Sequence, residues 1–173
     1  MGYYIALILL PIFAILENSL LIDLRLLDGQ PSLVLVAVIA WSWHADLTEA
    51  VFWAFVGGIA LDILNPIIPT GTSVIAILVM IFTVKTIERL FYQVSIFALI
   101  AFVALGTILH HLILFGVFAI QDITIPFIAY IQDYTVPTLL FNLIGMMPMY
   151  WFLRRFQKRI PQRQSAWAVS PRQ

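Results

Sequence analysis

Along the chain, long apolar runs alternate with short polar clusters, and the runs set the predicted elements. The first extends from about Tyr3 to Ile22 and carries Glu17 and Asn18 in its last third. At 1.5 Å per residue it is long enough to cross a hydrocarbon core of about 30 Å. A mixed segment, Asp23 to Gln30, leads to Pro31 and Ser32, which open a second helix where proline's missing N–H costs little. That helix ends near His44 and is short for a crossing, so tilt, local thinning or the interfacial Trp41, Trp43 and His44 must make up its length.

The stretch from Ala50 to Val84 has the plainest internal logic: an apolar run with small residues, a loop of Asn, Pro, Gly and Thr, then a second apolar run. Asp46, Thr48 and Glu49 give its first helix an acid-rich start, favourable beside the N-terminal dipole. Ala50, Ala54, Gly58 and Asp62 follow at i+4 spacing and form one smooth face that ends in a carboxylate. In hydrocarbon such a face lets two backbones approach, and Gly57 beside it adds to the effect. Asn65, Pro66, Pro69 and Gly71 make the turn, and Thr72 or Ser73 caps the next helix, which runs through Lys85 toward Arg89. This unit is the expected packing core, with Asp62 bonded to the Gly71–Ser73 backbone or hydroxyls rather than facing lipid.

The fifth apolar segment, Val94 to Ile120, exceeds one crossing and is expected to tilt strongly or bend near Gly106. Ile123 to Ile131, with Pro126 inside and Asp122 and Asp133 flanking, reads as interfacial or partly re-entrant. The last helix spans about Thr135 to Phe152, with a bend expected at Pro148. The resulting organisation is an all-α polytopic membrane protein with six transmembrane helices in one domain, residues 1–153. Residues 154–173 form a basic tail, disordered toward its end.

Composition narrows the class further. The 173 residues are 62% hydrophobic and 10% charged, with mean hydropathy +1.02, so the bilayer rather than water is the expected solvent. A net charge of zero argues against nucleic-acid binding, and the absence of cysteine removes disulfides, thiolate metal sites and a Cys nucleophile. The N-terminal apolar run lacks a basic flank and a small-residue cleavage site, and reads as a retained anchor. Of nine basic residues, Lys85 and Arg89 share one loop and six lie from Arg154 onward. The positive-inside rule then places both termini in the cytoplasm and the acidic segments outside.

The polar residues inside spans suggest helix contacts rather than chemistry. His110 and His111 are adjacent, so their side chains diverge by about 100°, whereas helical metal pairs use i, i+4 spacing. Ser42, Ser73 and Ser95 have no nucleophile motif around them, and no glycine-rich phosphate loop is present. Neither catalysis nor a cofactor or metal is therefore expected. Glu17, Asn18, His110, His111 and Asn142 are the candidate contacts to a partner helix. Arg154, Arg155, Lys158 and Arg159 are candidates for contact with an anionic leaflet, at about 1 kcal/mol each.

These residues resemble the MreD family of bacterial rod-shape-determining membrane proteins. The likeness rests on Glu17-Asn18, Pro31-Ser32-Leu33, Gly57-Gly58-Ile59-Ala60-Leu61-Asp62 and Pro69-Thr70-Gly71-Thr72-Ser73, with Pro137, Asn142, Pro148, Tyr150 and Arg154-Arg155 similar in kind. Ser32 departs from the acid usual after the proline, and Glu17 from the commoner Gln. The resemblance implies a non-catalytic subunit of the cell-elongation machinery in the cytoplasmic membrane. Its implied partners are an MreC-like single-span protein, MreB and the RodA–PBP2 synthase pair. It also implies a fold similar to the substrate-binding components of energy-coupling-factor vitamin transporters, which supplies the alternative function of a small-molecule binding subunit. Those components typically dock through an Ala-x-x-x-Ala motif in the first helix. Here Ala6 and Ala14 are separated by Leu10, so the motif is missing.

Overall fold

The computed structural model describes residues 2–19, 29–43, 45–65, 68–88 and 96–157. They form α1 (Gly2–Ser19), α2 (Leu33–Ser42), α3 (Leu47–Leu64), α4 (Thr72–Glu88), α5 (Ile96–Ile120), α6 (Phe127–Tyr130) and α7 (Val136–Gln157). A π-helical turn, Ile131–Thr135, joins the last two. No strand occurs among the described residues. Four helical stretches are long and apolar enough to cross a membrane: Gly2–Ser19, Leu47–Leu64, Phe97–Ile120 and Phe127–Phe156. Large apolar side chains stand outward along them, including Ile8, Ile63, Phe97 and Ile144, as a hydrocarbon solvent requires.

The second helix is short, as its sequence indicated. α2 has 10 residues, a rise of about 15 Å, roughly half of a hydrocarbon core. Val34 through Ser42 are all buried, and α1, α3, α4, α5 and α7 each pack against it. A helix apolar on every side is stable only when surrounded. This half-helix is enclosed on all sides, and beside it α3 and α4 form the most extensive helix pair, the unit expected from the sequence.

Small residues set the close approaches. A Cβ on Gly58 would collide with the backbone of Val74, so α3 and α4 touch there through main chain. Gly57 faces the other way, where a Cβ would stand 2.8 Å from Val34 Cγ1 of α2. Ala50 and Ala54 are fully buried on the same helix. On α5, a Cβ on Gly106 would lie 2.7 Å from Met80 Sδ and 2.8 Å from Ile39 Cδ1. Gly106 thus serves contact with α4 and α2, inside a helix that continues unbroken to Ile120.

Two bundle ends can be distinguished. At one, Gly2 lies against Glu49 and Trp41, Trp41 Nε1 donates to Glu49 Oε1 at 3.2 Å, and Lys85 Nζ donates to the Ala45 carbonyl at 2.9 Å. The other end gathers Glu17, Gln30, the Gly71 turn and Thr138. The segment expected as interfacial begins irregularly at residues 123–126, but from Phe127 it is helical and continuous through the π turn into α7. α7 extends to Gln157 with Arg154 and Arg155 in its last turn, so the helix runs past the boundary expected at residue 153.

Candidate functional site: a polar cavity at the end of the buried half-helix

The first turn of any helix leaves N–H groups without intrahelical partners, and burial of such an end requires acceptors from elsewhere. At α2 these come from three directions. Ser32 is the N-cap and accepts from Leu35 N–H at 3.4 Å. Glu17 reaches across from α1, and its Oε2 accepts from Val34 N–H at 3.2 Å, placing a carboxylate at the positive end of the helix. Asn142 of α7 accepts from Ser32 N–H through Oδ1 at 2.8 Å.

The bonding continues outward from this end. Asn142 Nδ2 donates to Thr107 Oγ1 at 3.0 Å, and that hydroxyl donates to the Val103 carbonyl at 2.8 Å, tying α7 to α5. Gln30 donates through its backbone N–H to Thr138 Oγ1 at 3.1 Å and through Nε2 to the Glu17 carbonyl at 2.6 Å. Four elements are joined through one polar layer.

Beside this layer lies a cavity of about 390 Å³, within the range typical of small-molecule sites. Its polar lining includes Glu17, Ser32, Asn142 and Thr138, and its aromatic lining His110, His111, Phe118, Tyr130 and Tyr134. His110 is 8% exposed, and its Nε2 has no hydrogen-bond partner among the described residues. His111 Nδ1 lies 3.4 Å from Thr135 Oγ1. Tyr130 and Tyr134 stack at 5.5 Å with 25° between their planes, on either side of the π turn's start. Single π turns inside helices recur at functional sites because they re-aim side chains.

All five candidate partner contacts line this cavity. Glu17, His110 and Asn142 are buried, and Asn18 Nδ2 donates to the Ala14 carbonyl of its own helix. Polar groups in spans seek partners, and Glu17 and Asn142 find them on neighbouring elements of the bundle. The His110 and His111 rings are 5.9 Å apart at 66°, and no group of three metal-ligating side chains occurs among the described residues.

The packing candidates form a second unit. Asp62 accepts from Gly71 N–H at 2.7 Å and from Ser73 N–H at 2.9 Å, the contact expected from the sequence. Gly71 has φ +102°, which disfavours any side chain. Of the basic candidates, Arg154 lies 5.9 Å over the Tyr150 ring and Arg155 lies 4.8 Å over Trp151. Lys158 and Arg159 fall outside the described residues, as do Asp23, Arg25, Asp28, His44, Pro66, Arg89 and Ser95.

Sequence reasoning did not single out Thr107, Tyr130, Tyr134 or Thr138 as site residues, nor Gln30. The one local signal was spacing: Thr138 stands four before Asn142, and Tyr130 four before Tyr134. A different surface feature lies outside the bundle, where α1 and α3 leave a groove of about 480 Å³ with no polar lining. Leu7, Pro11 and Ile15 form one side, and Phe55, Ile59 and Ile63 the other.

Fold and site together define an all-helical protein with four membrane-length apolar helices, a buried half-helix and a polar cavity at its end. The chain matches no family model, no curated protein and no solved structure.

Proposed function

We propose that this protein is a non-catalytic membrane subunit of the MreD type, an adaptor that holds the transmembrane helix of an MreC-like single-span protein within the bacterial cell-elongation machinery. The observation that carries the reading is the α1–α3 groove. It is wholly apolar, faces outward, and has small Ala60 at its floor beside projecting Phe55, Ile59 and Ile63. Helix association in lipid depends on such packing, because apolar surface gains nothing by leaving hydrocarbon. RodA–PBP2 and MreB are further partners under this reading, and both termini lie in the cytoplasm with six passes.

The test is co-purification with an MreC-family protein in detergent. Ala60→Phe fills the groove from its floor and should abolish recovery of the partner while leaving the adaptor's own yield unchanged. Undiminished recovery rejects the groove as the docking face.

A second reading is favoured by one specific feature. The 390 Å³ cavity with an unpartnered His110 Nε2 suits a small-molecule binding subunit, as in vitamin transporters of the energy-coupling-factor type. Ligand-induced thermal stabilisation separates this from a purely scaffolding role.

A further inference from the structure

We infer that the cavity at the end of α2 binds a small organic cation, an ammonium group joined to an apolar or aromatic body. The inference rests on the small-molecule reading of the cavity and is independent of the adaptor role.

The cavity has the parts such a ligand needs. Among the described residues, Glu17 is the one formally charged side chain that lines the cavity, a carboxylate set at the wall rather than in bulk water. An anion beside it would meet like charge, whereas a cation would meet its complement. Tyr130, Tyr134, Phe118 and His111 also line the cavity, and ring faces attract cations through their quadrupoles.

His110 adds a further ring to this lining: it is buried and borders the cavity. The carboxylate and the aromatic side chains thus present an acceptor and a cation-attracting surface around one space.

The π turn explains how the aromatic lining is built. Ile131–Thr135 inserts the wider turn where the chain enters α7, with Tyr130 immediately before it and Tyr134 within it. Thr135 Oγ1 lies 3.4 Å from the Tyr130 carbonyl and equally far from His111 Nδ1, so the turn also holds the neighbouring histidine. Such a turn costs helix hydrogen bonding and recurs where a side chain must be placed for function.

The experiment uses three probes of similar size on the full-length purified protein in nanodiscs: 2-phenylethylamine, 2-phenylethanol and 3-phenylpropanoate. Binding is followed by calorimetry and thermal shift at millimolar ligand. The amine should bind about tenfold more tightly than the alcohol, and the carboxylate should not bind, a difference of about 1.4 kcal/mol. Glu17→Gln retains an acceptor for Val34 N–H and should equalise amine and alcohol. Should Glu17→Gln fail to fold, Tyr134→Leu at the half-exposed rim provides the second variant, with several-fold loss of amine affinity expected. Tighter binding of the alcohol or the carboxylate overturns the cation assignment while leaving a ligand site in place. No binding by any probe overturns both the assignment and the small-molecule reading.

Discussion

Asp62 and Ser73 stand eleven residues apart in sequence, and the Asp62 carboxylate accepts from the Ser73 N–H at 2.9 Å. The other carboxylate oxygen accepts from Gly71 N–H, so one side chain at the end of α3 closes the turn and caps the start of α4. Hydrogen bonds to a charged partner are worth about 1.5–3 kcal/mol each. Asp62→Asn keeps one acceptor and should cost about 1–2 kcal/mol, whereas Asp62→Leu loses both bonds and should cost about 3 kcal/mol. Gly58→Leu forces α3 from the Val74 backbone and should exceed Asp62→Asn, at about 3 kcal/mol. Denaturation in mixed SDS micelles measures the series, and equal stability for Gly58→Leu and wild type contradicts the packing argument.

Gly71 isolates backbone strain from crowding. A Cβ there would meet nothing within 4 Å, yet φ is +102°. Gly71→Ala should therefore cost about 1–2 kcal/mol through conformation alone. Gly145, also free of neighbours but within helix α7, provides the control, where alanine should be neutral or slightly stabilising in the same titration.

The polar layer at α2 makes a different prediction. Asn142→Leu leaves Ser32 N–H without its acceptor and removes the donor to Thr107. Each unpaired buried group costs about 1–3 kcal/mol in proteins generally, with averages nearer 0.6 for interhelical bonds in membranes. A loss of about 2 kcal/mol is expected, and proteolysis of the detergent-solubilised variant should cut first near residues 29–32, where α2 is no longer held.

How much of this was legible in the sequence depends on the distance over which each contact acts. The Asp62 turn could be read because i+4 spacing and the Pro/Gly loop lie within a few turns of each other. The cavity could not, because Gln30–Thr138 and Ser32–Asn142 join positions separated by 108 and 110 residues. Glu17 and His110 were recognisable as polar groups needing partners, but periodicity does not say whether the partner is another protein or the same bundle. α2 posed the same difficulty. A helix apolar all round has no preferred face, so its pattern cannot distinguish lipid from protein as its surroundings. Only its 10-residue length set it apart.

Topology can be checked apart from any partner. Two-sided reporter fusions after Gly29 and after Gln173 should report opposite sides of the membrane, since eight of nine basic residues then lie in the cytoplasm. Agreement between the two fusions contradicts the six-pass arrangement.

If the partner is held by packing within the spans, salt should matter little. Truncation after Gln157 should leave the complex with the MreC-like protein intact in a high-salt detergent wash, because the tail's charges act only over a Debye length of about 10 Å at 0.1 M. Loss of the complex on truncation moves the docking surface to the cytoplasmic tail.

Site-specific photocrosslinking in membranes tests the adaptor claim most directly. A photoreactive residue at Phe55 or Ile59 in the α1–α3 groove, and another at Ile144 on the exposed face of α7, sample two lipid-facing surfaces of the same bundle. Crosslinks to the co-expressed MreC-like protein should form from Phe55 and Ile59 and be absent from Ile144. Crosslinking from Ile144 alone, or equally from all three positions, would contradict a docking site in the groove.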